Sequence, residues 1–285
     1  MHIVLLIVSI FAATANNLLL HGVSLKEKEN LFFYNFLCGA VWFGILLALC
    51  RGDFAFTANE VRFGVCYGLT QAAFLLCKSG AMSTGPVSVT TLIGNCSLLL
   101  STAAGVLIWR EPVGALQVIG IVLLCVAVVL CTYRTQDGAH GRKCWALFCV
   151  GFFISAAGVG ILFKAFHKAG GGDCNRMMLC GAMVLTVCML ICTLATHAFT
   201  RQTLLTKPHA LWLILLCGVV SCLYNRLNIP LAGELPSVLF YPVFNGGVIL
   251  LCTLCGMWIF REKTTWRGKC GILLGMLAIG IIGLR

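Results

Sequence analysis

The chain has 285 residues, 60% of them hydrophobic and only 10% charged, against about 25% charged in soluble domains. With a mean hydropathy of +0.99 this composition excludes a soluble globular protein. The formal charge of +11 would suit nucleic acid in a soluble chain, but here the basic residues flank apolar runs. Such residues anchor helix ends at lipid headgroups, so nucleic acid is excluded as a partner.

A membrane-spanning helix needs about 20 mainly apolar residues. Ten such runs follow one another, at 2–20, 31–50, 61–82, 86–109, 113–132, 144–163, 177–199, 210–230, 236–260 and 268–284. The first, MHIVLLIVSIFAATANNLLLHG, lacks the basic segment of a signal peptide and is expected to be a transmembrane helix. The breaks are short and polar, among them KEKEN, YRTQDGAHGRK and REKTTWRGK. None is long enough to fold outside the bilayer, so the protein is expected to work within it.

Eighteen cysteines raise the question of metal or disulfides. Most, such as Cys188, Cys192 and Cys217, lie inside apolar runs. Cys252 and Cys255 form a CxxC without a second pair, whereas a structural zinc site takes four ligands. Cysteine is read here as a small packing residue. No metal and no cofactor are expected.

The chain matches itself at a shift of 150 positions: Gly68 falls on Gly218, Pro86 on Pro236 and Asn95 on Asn245. After one inserted residue the match continues at 151, with Gly105 on Gly256, Arg110–Glu111 on Arg261–Glu262 and Gly120 on Gly271. AATANNLLLH lies less closely over SAAGVGILFK. The reading is an all-α integral membrane protein of ten transmembrane helices, built as two five-helix repeats. Residues 1–136 form the first, 144–285 the second, and 137–143 the connecting loop, all within one membrane domain. Five is odd, so the second repeat enters from the opposite side. Inverted repeats around a central cavity, with a site at the midplane, are a transporter architecture. Pro86 and Pro236 suit a first helical turn, where a missing N–H costs nothing. Pro242 falls inside its helix and removes an internal hydrogen bond, beside the pair Gly246–Gly247.

Two proline-started helices that each end on Arg-Glu, in a ten-helix chain of this length, resemble the drug/metabolite transporter superfamily in its EamA-like branch. The stretch LPSVLFYPVFNGG…FREK is especially similar to the second repeat of those proteins. The resemblance implies helices around a central cavity and movement of small molecules, among them amino acids, nucleotide sugars and drugs. The small four-helix relatives carry a membrane carboxylate in helix one for proton-coupled drug exchange. Here that place holds Ala13-Thr14-Ala15-Asn16-Asn17, which counts against cationic drug antiport.

Polar side chains at membrane depth are expensive and are candidate sites. At about 100° per residue they fall into stripes: Ser9, Ala13 and Asn16, with Asn17 at the edge; Tyr67, Gln71, Phe74 and Lys78; Ser88, Thr91, Asn95 and Thr102; Ser221, Tyr224, Asn225 and Asn228; Tyr241 and Asn245. From these, Asn16, Asn17, Tyr67, Gln71, Lys78, Asn95, Tyr224, Asn225, Asn228, Tyr241 and Asn245 are expected to contact the solute. The same groups also bridge helices in lipid. Glu111, Glu262 and Pro242 are the candidates for gating or coupling, although each glutamate also suits a local bond to its neighbouring arginine or to backbone. Arg226 is expected to reach the interface, and Lys164 and Lys168 to lie in a loop. Lys78 is the one cation aligned with a polar stripe, and no acid lies at i±3 or i±4 to pair with it. Either it reaches the headgroups from near its helix end, or it contacts the solute and favours an anionic or zwitterionic one.

The reading is a secondary transporter of a small polar, amino-acid-like metabolite working by alternating access, and not an enzyme. Alternatives are an exporter of lipophilic cations with the same fold, and a membrane-embedded transferase. The sequence offers no clustered Asp motif, no HxxxxD and no Ser–His pair for the last. No GxxxxGK[ST] is present for a nucleotide-driven pump. The expected partners are a metabolite and the bilayer, with the chain a monomer or homodimer. The expected location is the plasma (inner) membrane, multi-pass. The resemblance implies cytoplasmic termini, while the loop charges, eight basic residues on the terminal side against twelve, lean the other way.

Overall fold

The computed structural model describes residues 2–24, 31–52, 54–84, 90, 93–132, 142–200, 208–259 and 266–283. Among them all regular structure is helical: α1 (His2–Ser24), α2 (Leu31–Leu49), α3 (Ala58–Thr84), α4 (Ser97–Trp109), α5 (Ala115–Thr132), α6 (Arg142–Lys168), α7 (Cys174–Thr200), α8 (Pro208–Glu234), α9 (Ser237–Ile259) and α10 (Trp266–Gly283). Nine of the runs read as spans fall on one of these helices, and the run at 86–109 is matched by α4 over Ser97–Trp109, most of its first seven residues lying outside the described ones. Six of the helices among the described residues are long and apolar enough to cross a membrane. α3 has the length, with 27 residues, but carries Gln71 and Lys78. α4, α5 and α10 are shorter and apolar.

Two helices overrun their expected ends. α8 was expected to stop at Pro230, yet it continues to Glu234 with the proline inside. Leu231 and Ala232 beyond it are buried, and Leu235 N–H donates to the Leu231 carbonyl at 3.0 Å, so the ladder resumes at once. Packing outweighs the one hydrogen bond that Pro230 removes. α6 was expected to end at 163 but runs to Lys168. Pro236 behaves as expected for a helix start: its carbonyl accepts from Leu239 and Phe240 N–H at 3.0 and 2.8 Å. Pro242 is buried inside α9.

The outer surface is apolar, with Leu107, Leu147 and Trp258 more than 70% exposed. Such a surface is stable in lipid and not in water. Inside, α5 packs along α10, α2 along α7, and α4 against α9. α1 packs on α8 and α9; α6 packs correspondingly on α3 and α4. Small residues set the closest approach. On α3, a Cβ at Gly64 would sit 2.6 Å from the Met177 carbonyl oxygen, and one at Gly68 would sit 2.5 Å from that of Gly181. The two backbones can meet only because both positions are glycine.

Side-chain contacts bring one set of helix ends to a common face. His2, at the start of α1, lies 2.5 Å from Glu234 at the end of α8. Asn59, at the start of α3, donates to the Ala169 carbonyl just past α6 at 3.3 Å. Glu111, just past α4, meets Ser237 at the start of α9. The starts of α1, α3, α7 and α9 and the ends of α4, α6 and α8 therefore share this terminal face.

Candidate functional site

A polar seam runs between α1, α2, α3 and α8. The Ser9 hydroxyl donates to Asn228 Oδ1 at 2.6 Å. Trp42 Nε1 donates to Ser221 Oγ at 2.6 Å. Asn225 donates Nδ2 to the Ser221 carbonyl at 2.9 Å and accepts from the Tyr67 hydroxyl at 3.4 Å. All six side chains are buried. The stripes read on α3 and α8 thus meet face to face, and α1 adds Ser9. One turn beyond Tyr67 on α3, Gln71 is buried, and on α4 the buried Thr102 hydroxyl has no hydrogen-bond partner among the described residues. Polar groups buried without partners in an apolar bundle are costly and suit a solute that supplies the missing bonds.

The other expected contacts are dispersed around this seam. Tyr241 is buried and donates its hydroxyl to the Gly160 carbonyl of α6 at 2.8 Å. Asn245 Nδ2 donates to the Tyr241 carbonyl one turn back at 2.9 Å, and its side chain is half-buried. Tyr224, Asn16 and Asn95 are half-buried, Asn95 in a helical turn just ahead of α4. Asn17 is exposed, with Nδ2 3.7 Å from the Cys252 sulfur. Lys78 is half-buried, its Nζ 5.8 Å from the Phe74 ring centre. Pro86, Ser88, Thr91 and Glu262 lie outside the described residues.

The terminal face holds a cluster that corrects two expectations. Lys164 lies on α6 and not in a loop, with 1% of its side chain exposed. Glu111 binds Lys164 and not its neighbour Arg110. Lys164 also donates to Ser237 Oγ at 2.7 Å and to the Leu235 carbonyl at 3.4 Å, and lies 5.6 Å from the Trp109 ring centre. The second Glu111 oxygen accepts the Ser237 N–H at 2.6 Å. Gly105 makes this approach possible, since a Cβ there would overlap Ser237 Cβ. Beside the cluster is a cavity of about 560 Å³ lined by Glu111, Gln117, Lys168, Glu234, Leu235 and Pro236, among others.

Lys164 is not legible as a site from an apolar run that ends at its first charge. The signal was present in Phe163-Lys164-Ala165-Phe166: the apolar pattern resumes after the lysine. Both flanking phenylalanines are buried.

A second charged cluster ties α3 to α7. Glu60, with no side-chain exposure, accepts from Thr57 N–H at 2.8 Å, Asp173 N–H at 2.7 Å and Arg176. Burial alone would raise its pKa, but the two backbone N–H groups and Arg176 outweigh that and hold the carboxyl below its usual value. Arg226, expected at the interface, is exposed but donates Nε to Asn175 Oδ1 at 2.7 Å.

Residues 1–133 match the model of the EamA-like transporter family. An uncharacterised protein of Haemophilus influenzae is 24% identical over 217 residues, which cover 74% of this chain and 72% of its own. A crystal structure of a protein with 11% sequence identity matches with a TM-score of 0.79 over 99% of this chain and 96% of that one, a likeness of fold alone. Residues 1–133 thus carry the EamA-like sequence of the drug/metabolite transporter superfamily, on a multi-pass membrane chain.

Proposed function

We propose that this chain is a secondary transporter that moves a small polar metabolite, an anionic or zwitterionic solute such as an amino acid, across the membrane by alternating access. The observation that carries this reading is the buried seam of amides and hydroxyls between α1, α2, α3 and α8, beside which the buried Thr102 hydroxyl of α4 has no partner among the described residues. Solute hydrogen bonds would replace those that water cannot make there.

Two further observations support alternating access. α1, α3 and α9 start at the terminal face, whereas α6, α8 and α4, their counterparts in the other half, end there. The packing exchanges in the same way: α1 on α8 and α9, α6 on α3 and α4. Both are what two oppositely oriented repeats, 1–136 and 144–285, would give, and such halves can exchange conformations. The described acidic residues Glu60, Glu111, Asp173 and Glu234 sit at or near helix ends. No described carboxylate lies in the seam, which favours passive or exchange transport over proton-driven export of a lipophilic cation. By the family resemblance the termini face the cytoplasm and the membrane is the plasma membrane.

The test is reconstitution into liposomes with labelled amino acids and other polar metabolites, inside and outside. The expected result is exchange of one solute class without covalent change. Covalent conversion of the solute, or strong pH-driven efflux of a lipophilic cation that survives replacement of Glu111 and Glu262, would overturn the proposal.

A further inference from the structure

At the terminal face, side chains from opposite halves of the chain are bonded to one another. Glu111 follows α4; Lys164 lies on α6 and Ser237 opens α9. One carboxylate binds both: one oxygen takes the Lys164 ammonium, the other the Ser237 N–H. The Ser237 hydroxyl closes the ring by accepting from Lys164. Trp109 covers the ammonium, and Gly105 removes the bulk that would hold α9 away.

Resting on the transporter reading above, we infer that Glu111, Lys164 and Ser237 are the gate of the transport path at the terminal face. The cavity of about 560 Å³ beside them is the vestibule outside that gate.

Two features separate this cluster from the Glu60 clamp at the same face. Glu60 is fully enclosed and has four donors on its carboxylate, from Thr57, Asp173 and two nitrogens of Arg176. Glu111 keeps 15% of its side chain exposed and lines the vestibule. Water therefore reaches the moving partner of the gate and not the clamp. The clamp fixes α3 to α7, while the gate joins α4 to α6 and α9.

The chemistry also sets the condition for opening. When α4 draws away from α9, Lys164 loses its carboxylate while still almost fully enclosed. A buried charge without a partner is strongly unfavourable. The gate opens only when water or another anion from the vestibule takes the place of Glu111 on Lys164. The other charges that face this event are Lys168, one turn along α6, and Glu234 at the end of α8, which is itself held by His2. Arg110 is the chain neighbour of Glu111.

Backbone amide hydrogen exchange on the full chain in lipid nanodiscs tests the gate without any solute, because the Ser237 amide is itself one of its bonds. Glu111→Ala and Lys164→Met are expected to speed exchange at the start of α9 by roughly tenfold or more. Ser237→Ala, which keeps the amide and loses the hydroxyl, is expected to give a smaller increase. Exchange at the start of α3 and in the 170–176 segment, where the Glu60 clamp sits, should stay at the wild-type rate. An unchanged start of α9 in Glu111→Ala, or equal loosening of both clusters, overturns the inference. If Lys164→Met does not fold, Glu111→Ala and Ser237→Ala decide it by the same criterion. The two readings fail separately. Solute exchange with an unchanged start of α9 removes the gate alone, whereas a gate that responds in a chain that converts its solute removes the transporter alone.

Discussion

Arg176 brings two nitrogens, Nε at 3.2 Å and Nη2 at 3.0 Å, onto one oxygen of Glu60. The same carboxylate takes the Asp173 N–H from the turn in which Gly172 adopts φ +145°. A Cβ at Gly172 would crowd Glu60 Oε1 at 2.8 Å, so the glycine is required both for its φ and for the approach. Glu60→Ala leaves Arg176 without its carboxylate and two backbone N–H groups unpaired. The expected cost is about 3–5 kcal/mol, the range for removing one partner of a buried pair, read as a lowered unfolding midpoint in detergent.

The same carboxyl sets a pH dependence. Its pKa in the fold lies below the usual carboxylate value, because backbone N–H groups and Arg176 outweigh the opposing effect of burial. The fold therefore binds fewer protons than the unfolded chain as pH falls. Stability from Glu60 is fully present above about pH 4.3, the ordinary glutamate value, and is lost as pH drops through the lower folded value. Thermal unfolding of wild type at neutral pH and near pH 3 should show this loss, and Glu60→Gln should show less of it. Equal pH dependence in both would remove Glu60 as the cause.

Much of the fold was legible in the sequence, because a lipid-crossing helix announces itself by length and apolarity alone. Over the described residues, each expected span overlaps a helix. The seam was legible in part: the α3 and α8 stripes that meet as Tyr67 and Asn225 follow from helical spacing. What was not legible depends on tertiary partners. Lys164 reads as a helix end until Glu111 is placed beside it from 53 positions away. Pro230 reads as a break until Leu231 and Ala232 are seen buried past it. Asn17 sits within one helical turn of Ser9's stripe, yet its rotation leaves it exposed, a difference that spacing cannot resolve at the edge of a stripe.

Close packing of α3 on α7 gives a prediction that needs no solute. In Gly68→Ala the added Cβ sits 2.5 Å from the Gly181 carbonyl oxygen and 2.7 Å from Val184 Cβ. Backbone cannot yield as a side chain tip can, so the helices must separate, at roughly 1–3 kcal/mol for overpacking of this kind. Gly44→Ala is the control, since nothing lies within 4 Å of its added Cβ. It should be neutral or slightly stabilising by helix propensity, about 0.5–1 kcal/mol. Paired unfolding midpoints in one detergent check both.

Asn228→Leu separates a solute contact from a structural bond in the seam. It removes the acceptor of the Ser9 hydroxyl at 2.6 Å. Interhelical hydrogen bonds of this type contribute only about 0.6–2 kcal/mol, so the folded chain should persist with a modestly lowered midpoint. Exchange in liposomes should fall by tenfold or more, because the amide is also a solute contact under the transport reading. A lowered midpoint with unchanged exchange kinetics would make the Ser9–Asn228 bond purely structural.

Lys78 offers a test of the proposed charge of the solute. Its Nζ sits 5.8 Å from the Phe74 ring centre, and Phe74 in turn packs on Phe152 of α6 at 5.2 Å. No ion pair joins Lys78 to a described carboxylate. A half-enclosed ammonium on an aromatic face is partly stabilised by the ring quadrupole, by about 0.5–2 kcal/mol, which leaves room for an anion to bind. Under the proposed function that anion is the carboxylate or phosphate of the solute. Lys78→Gln should raise the apparent Michaelis constant for the solute by tenfold or more, while Lys78→Arg, which keeps the charge, should stay within a few-fold of wild type. Zwitterionic and anionic solutes should both weaken, and a neutral analogue that lacks the acidic group should bind Lys78→Gln and wild type alike. If both variants keep wild-type affinity for the acidic solute, Lys78 is a headgroup anchor, and the inference that the solute is anionic or zwitterionic falls with it.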